Sequence, residues 1–324
     1  MNVLVTGGTG FIGSHVVDVL VEHGHTVRLF SRRPDVPERL QGRGVSVLQG
    51  DLRDAESVVA AMNGMDVFYH IGEMKNTTRS APEENIRLVE KIVRHLGPSG
   101  VKRFVFVISI TVAGIPAEIP ATEKTRPAVA LRDQYTTYKK KSEDIIFRGS
   151  HGAECVILRP PMVYGPGSRY LGRMITLFQK ATPLGLPFAG KGRNIVPLIH
   201  VKDLAWAIYL AGIQEAAAGQ LFNLTDGLRH TWFDVFSALA GALQIKLRIL
   251  SLPPVVLRIP ALVADFLCSL FGLRPDSNNY VTFLASHVLF DNAKAKVFLG
   301  WEPGYTDLVS GMQDMVEQYR GESR

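Results

Sequence analysis

Two tyrosines and three lysines lie close together in DQYTTYKKKSED, residues 133–144. On a helix, residues four apart share a face. Tyr135 then lies over Lys139, Tyr138 over Ser142, and Lys140 and Lys141 look back to Thr136 and Thr137. Only Tyr135 and Lys139 make a Tyr–Lys pair. A neighbouring ammonium favours phenolate and draws a phenol pKa down from about 10. Tyr135 is therefore expected to act as a general acid or base with a lowered pKa. Tyr138, Lys140 and Lys141 read as packing or solvated side chains. The spacing by itself is common, and a third group sharpens it. Ser109 closes the apolar run RFVFVIS, where its hydroxyl can donate to a substrate oxygen beside the tyrosine. The plainer reading is a serine capping a loop.

TGGTGFIG, residues 6–13, supplies a binding element of a different kind. Gly7, Gly10 and Gly13 stand between a β-branched run, NVLVT, and a helical pattern that begins at Phe11 and Ile12. A chain that turns tightly there brings a phosphate onto bare backbone N–H groups at a helix N-terminus. A glycine-rich turn without a ligand is the alternative, but the strand-to-helix setting favours nucleotide binding. The next strand, TVRLF, ends on Ser31, Arg32 and Arg33. An acidic residue there would bind the ribose hydroxyls of NAD. A serine and two guanidinium groups suit a 2′-phosphate instead, so NADP(H) is expected over NAD(H). Asp51 and Leu52 follow the third strand and are expected beside the adenine, although Asp51 could equally be an N-cap.

These groups need a frame that gathers them on one edge. Apolar strand patterns (NVLVT, TVRLF, VSVLQGD, MDVFYHIG, RFVFVIS, CVILRP) alternate with helical ones, including PEENIRLVEKIVRHLG and Tyr135 to Arg148. Strands apolar throughout and separated by helices predict a doubly wound parallel α/β sheet covered on both faces, a Rossmann fold. The alternation weakens after Pro160 through a Gly/Pro-rich stretch at 166–194. It returns at VPLIHVKDLAWAIYLAG and QLFNLTDG, and residues 231–324 read as mostly helical. The expected division is a cofactor-binding part at 1–165 and 195–230, and a smaller substrate-binding part at 166–194 and 231–324. A chain of 324 residues, 46% hydrophobic, can bury such a core. Its net charge of +6 is scattered, without the basic face and interleaved aromatics that nucleic acid requires. Cys155 and Cys268 sit in apolar runs and read as two buried thiols in a reducing, cytoplasmic setting. No spacing suggests a metal site. MNVLVTGG reads as a strand rather than a signal peptide.

Taken in order, TGGTGFIG, GDL, SITVAG, YTTYKKKSE, LRPPMVYGPG, HVKDLA and LGWEP resemble the extended short-chain dehydrogenase/reductases over nearly the whole length. SITVAG, VYGPG and DNAKAKVFLGWEP are similar to the 3β-hydroxysteroid and sterol dehydrogenase branch. The resemblance implies a catalytic set of Ser109, Tyr135 and Lys139. Tyr135 would move the proton, Lys139 would bind the nicotinamide ribose, and Ser109 would hold the substrate oxygen. It also implies that Asn85 supports the site and that Pro160 and Val163 border the nicotinamide. Asn85, Thr111, Tyr164 and Arg169 are the candidates for the substrate side, and a homodimer is compatible with the family. The chain departs from the pattern at HIGEM, where the family often has His-Leu-Ala-Ala, at NIRLVEK, and at Ile108 before Ser109.

Three function classes follow: an oxidoreductase on a secondary alcohol or ketone of a lipid-like, steroid-like or polycyclic small molecule, a nucleotide-sugar epimerase or dehydratase, and a cofactor-binding regulator with a dead site. Ile110 and Thr111 stand where dehydratases of the family carry an acidic pair, and the retained Tyr–Lys pair argues against a dead site. His200 is expected to order a loop, and Asp203 to cap the next helix. LPPVVLRIPALVADFLCSLFGL, residues 252–273, has the length of a membrane span, but three prolines and two charges interrupt it. It is expected to be helical only from Ala261, either as a core helix or as a lipophilic lid in peripheral membrane contact.

Overall fold

The structure, a computed structural model, describes residues 1–74, 80–149, 152–168, 185–270 and 277–322. Seven parallel strands form the central sheet: β1 (Asn2–Thr6), β2 (Thr26–Ser31), β3 (Val45–Gln49), β4 (Val67–His70), β5 (Arg103–Val107), β8 (Glu154–Arg159) and β12 (Leu221–Asn223). Their spatial order is β12-β8-β5-β4-β1-β2-β3. The order reverses between β1 and β4, so the carboxyl ends of these two strands open a crevice there, the usual ligand position in such sheets.

Strand residues are apolar on both faces because both are covered. Val3, Val5, Leu29, Tyr69, Val105 and Leu158 pack with Val16 and Leu20 of α1 (Phe11–Glu22) and Leu204 and Ile208 of α5 (Val201–Ile213). Leu4, Phe30, Phe68, Phe104 and Ile157 face the other way. They meet Val58 and Met62 of α2 (Ala55–Met62), Leu88, Ile92 and Leu96 of α3 (Ala81–Ser99), and Ile146 of α4 (Gln134–Arg148).

The smaller ladders were not legible in the sequence. β6 (Ile115–Pro116) pairs with β7 (Pro127–Val129), β9 (Met162–Tyr164) with β11 (Leu198–His200), and β10 (Leu186–Ala189) with β13 (Ile249–Leu252). A third core gathers Leu198, Phe236 and Leu239 of α6 (Trp232–Leu243), and Met312 and Val316 of α10 (Leu308–Glu322). Tyr164 belongs to that core. It is fully buried, its ring meets His200 edge-on at 5.2 Å, and it is a packing residue rather than a pocket-lining one.

The proline-interrupted segment differs from expectation. Helix α7 (Pro254–Leu270) starts at its first turn, not at Ala261, and runs through Pro260. Pro254 occupies the position where no backbone N–H is required, and the carbonyl that Pro260 leaves without a donor lies on an exposed helix. It is not a core helix either, since Ala261 is its one buried residue. Leu257, Ala261, Asp265 and Cys268 form the covered side. Asp265 accepts from the Ser277 N–H at 2.8 Å, and Arg258 donates to Thr282 at 3.4 Å, which ties α7 to α8 (Ser277–Leu284). The remaining face is apolar and exposed at helical spacing through Val255, Ile259, Leu262, Phe266 and Leu270, the last two 65% and 66% exposed. Residues 271–273 of the segment lie outside the described residues. Among the described residues, no helix is long and apolar enough to cross a membrane. Helix α9 (Ala293–Leu299) closes the sheet beside β12.

Candidate active site

Gly10 is the N-cap of α1, and its N–H is used by the Gly7 carbonyl at 2.9 Å. The first N–H groups of the helix then point outward without an intrahelical acceptor. Two glycines here are required by close approach. A Cβ on Gly7, whose φ is +75°, would lie 2.5 Å from the Gly72 nitrogen, and a Cβ on Gly13 would strike the Gly7 carbonyl. The crevice is a groove of about 820 Å³. It is lined by Gly7, Gly10, Phe11, Ile12 and Gly13 at one side, Ser31, Arg32 and Arg33 at the end of β2, and Asp51 and Leu52 beyond β3. Ten of the fourteen positions expected to meet the cofactor share this groove, and Tyr135 and Lys139 do not line it. Pro160 and Val163 are not among the lining residues. The Pro160 carbonyl accepts the Ile110 N–H at 2.9 Å, and Val163 is half-buried in β9.

Arg32 and Arg33 are exposed, and neither guanidinium has an ion-pair partner among the described residues. Ser31 accepts from the Arg33 N–H at 3.2 Å. Asp51 caps a short turn, accepting from the Arg53 N–H at 3.0 Å, and the N-cap of α2 is Asp54, which accepts from the Ser57 N–H.

On the same edge, Asp133 caps α4 by accepting from the Thr136 N–H at 2.9 Å. The helix starts there, so Tyr135 lies in its first turn and Lys139 one turn on. Ser109, at the end of β5, caps a short 3₁₀ turn over Ile110–Ala113 and accepts from the Thr111 hydroxyl at 3.0 Å. Tyr135 is hydrogen-bonded to Ser109. The Lys139 ammonium is buried, 3.4 Å from the Val107 carbonyl and 5.7 Å from the Tyr135 ring centre.

The electrostatics reverse one expectation. Burial pushes the Tyr135 phenol well above its ordinary value; Glu73, Tyr280 and Asp133 add to the rise, and the Ser109 hydrogen bond opposes it. Lys139 is not among the groups that set this shift; its ammonium is paired with the Glu73 carboxylate at 3.0 Å. Glu73 also accepts the Tyr138 hydroxyl, so Tyr138 is not merely packed. Burial raises the Glu73 carboxyl, but Lys139 and the Tyr138 and Lys139 hydrogen bonds leave it below the usual carboxylate range. Sequence reasoning passed over Glu73. The signal was the acidic residue in HIGEM, at the end of β4 on the ligand edge. Lys140 instead pairs with Glu143 at 2.8 Å and Asp144 at 3.0 Å, and Lys141 is solvated.

The outlying candidates fall into place around this centre. Asn85 is buried; it accepts the Met74 N–H and donates to the Met74 and Ala81 carbonyls, fixing the loop after β4. Arg169 lies outside the described residues. His200, expected to order a loop, is the N-cap of α5, accepting from the Lys202 N–H. Asp203 leaves that capping role and holds the Gly304 and Tyr305 N–H groups at 2.9 Å each. Cys155 and Cys268 are free and half-buried rather than buried, and burial pushes the Cys155 thiol up to about 11. No three metal-ligating side chains cluster among the described residues.

Residues 3–225, more than half of the chain, match the NAD dependent epimerase/dehydratase family. The chain belongs to that family. Members bind NAD(P), which the bare glycine cradle and the groove of this one fit. Over 98% of its length this member is 24% identical to the Arabidopsis thaliana 3beta-hydroxysteroid-dehydrogenase/decarboxylase isoform 2, of which it spans 61%. It is 26% identical to the Dictyostelium discoideum sterol-4-alpha-carboxylate 3-dehydrogenase, decarboxylating, with 98% and 99% of the two chains covered. Among solved structures, MoeE5 in complex with UDP-glucuronic acid and NAD superposes with a TM-score of 0.75 at 23% identity, covering 99% of this chain and all of that one. That likeness concerns the fold. Family membership and relatives named as dehydrogenases support an NAD(P)-dependent oxidoreductase acting on CH–OH groups.

Proposed function

We propose that this family member is an NADP(H)-preferring oxidoreductase that interconverts a secondary alcohol and a ketone on a lipid-like or polycyclic substrate. The bound nicotinamide supplies or accepts the hydride. In reduction, the carbonyl carbon receives that hydride and the carbonyl oxygen receives the Tyr135 proton. Ser109 donates a hydrogen bond to the same oxygen, and Lys139 holds the nicotinamide ribose. Arg32 and Arg33, exposed and unpaired at the end of β2, receive the 2′-phosphate as charge-assisted pairs.

The exposed apolar face of α7 carries the substrate class. Its covered side packs on α8, and α8 carries Tyr280, which is near enough to Tyr135 to add to the rise of its phenol. An apolar surface thus stands one helix away from the reacting phenol. Such a stripe is costly in water and favourable in the headgroup–acyl boundary of a bilayer. Lys246, Arg248 and Arg258 are exposed on and just before α7, which suits an anionic lipid surface. In this reading the protein sits on the membrane without spanning it and draws an apolar substrate from it.

A substrate panel tests the reading. Steroid-like and long-chain ketones, their alcohols, and UDP-glucose are offered with NADPH or NADH, and nicotinamide absorbance is followed. Turnover of apolar carbonyls with NADPH preferred is the expected result. Epimerisation of UDP-glucose with no apolar substrate turned over would overturn it.

A further inference from the structure

Among the described residues, Glu73 is the acidic side chain that reaches the Tyr–Lys pair from the groove wall. It lines the groove at its inner end and contacts both Lys139 and Tyr138. Its position is built into the backbone. Gly72 before it is pressed against Gly7 and donates to the Thr6 carbonyl at 3.0 Å. Met74 after it is held through both its N–H and its carbonyl by Asn85 at 3.0 Å. A residue between two pinned neighbours has little freedom to place its side chain elsewhere.

We propose, on the oxidoreductase reading above, that Glu73 is a positioning residue of the Tyr135–Lys139 pair: its carboxylate fixes the lysine ammonium and cancels its charge, holding Tyr135 as a neutral proton donor. An ammonium has three N–H donors. The Val107 carbonyl and Glu73 account for two of them, so one remains for a ribose hydroxyl. Lys139 can therefore keep Glu73 and hold the cofactor at once. With Glu73 ionised, Lys139 charged and Tyr135 protonated, the cluster is neutral. Releasing the tyrosine proton would leave the cluster with a net negative charge. Without Glu73 the same release leads to neutrality, so the pair gives up a proton more readily.

Ser109 from the end of β5 is a neutral hydrogen-bond partner, and Tyr280 from α8 and Asp133 at the start of α4 raise the phenol in the same direction as Glu73, ranking after it. His70 of β4 is buried and hydrogen-bonded to Thr6, and burial together with Lys139 keeps it neutral, with a pKa of about 3. Lys139 is the cation whose charge Glu73 decides. The consequence for chemistry is directional. Ketone reduction consumes the Tyr135 proton and finds it in place at neutral pH. Alcohol oxidation requires the phenolate and is pushed to alkaline pH.

Spectrophotometric titration of tyrosinate tests this without substrate or cofactor. Wild type and Glu73→Gln are each differenced against the same protein carrying Tyr135→Phe, which isolates the Tyr135 step. In wild type that step is expected above the ordinary tyrosine value of about 10, and in Glu73→Gln at least about one unit lower, a tenfold change in ionisation constant. Glu73→Asp, which keeps the charge, is expected to stay with wild type. A Tyr135 step that is unmoved or higher in Glu73→Gln would overturn the proposal, as would Glu73→Asp shifting as far as Glu73→Gln. Coincident titrations in a protein that reduces ketones would refute the role of Glu73 alone. A shifted titration in a protein that turns over no alcohol or ketone would refute the oxidoreductase reading alone.

Discussion

At the scale of single residues, the two tyrosines of α4 divide their tasks. Tyr138 gives its hydroxyl to Glu73 and is buried, whereas Tyr135 faces Ser109. Tyr135→Phe is therefore expected to lower turnover at least about 100-fold, the lower end of what a general acid contributes, while NADPH affinity survives. Tyr138→Phe loses one hydrogen bond, worth about 1 kcal/mol, and should stay within about tenfold of wild type. Steady-state rates and NADPH fluorescence titration on both variants check this. At the far end of the groove, Arg32→Ala with Arg33→Ala removes only contacts to a 2′-phosphate. NADPH should weaken about tenfold or more and NADH far less, as read by calorimetric titration, and equal losses would contradict the NADP(H) preference. The Tyr135–Lys139 pair could be read from the sequence because helix periodicity fixes which side chains share a face. The direction of the Tyr135 shift could not. It depends on burial and on Glu73, which is 62 residues away in the chain and reaches Lys139 only once β4 and α4 lie on one sheet edge.

At the scale of elements, the glycine turn, the strand–helix alternation and the cofactor wall were legible because each depends on local pattern. The short ladders were not. β10 and β13 are four residues each and pair across about sixty residues of chain, so neither carries a recognisable signal by itself. Helix α7 was half legible. Its prolines suggested a later start, yet one lies where a helix tolerates proline and the other faces solvent. Its periodicity shows an apolar stripe in the sequence, but whether a core or water covers that stripe is decided by the neighbours, and among the described residues α8 packs on the opposite side and leaves the stripe exposed. Vesicle co-sedimentation with anionic lipid should recover wild type in the pellet. Phe266→Ser with Leu270→Ser should stay in the supernatant while keeping the wild-type circular dichroism and melting temperature, since both side chains are exposed. Loss of folding in the double variant would contradict the exposed face, and equal pelleting would contradict the lipid contact.

At the scale of the whole molecule, two buried imidazoles couple stability to pH. Burial lowers both His70 and His200 to about 3. The folded chain keeps them neutral, whereas the unfolded chain takes up protons below about 6.5, so this stability is complete above that pH and is lost as pH falls towards 3. Each contributes a slope of up to about 1.4 kcal/mol per pH unit in that window. His200→Asn keeps an N-cap acceptor without a titrating group. Its melting temperature should fall less steeply than that of wild type between about pH 6 and 4, and parallel lines would contradict the buried neutral imidazole. The fold, the groove and the phenol meet in one claim, that Tyr135 delivers the proton when a bound nicotinamide reduces an apolar ketone. A single-turnover measurement tests it most directly: protein saturated with NADPH is mixed with a ketone identified in the panel, in the presence of anionic vesicles, and the loss of nicotinamide absorbance is followed. Wild type should consume the cofactor in one rapid phase, and Tyr135→Phe, with cofactor equally bound, should be at least about 100-fold slower. A Tyr135→Phe phase as fast as that of wild type would contradict the account.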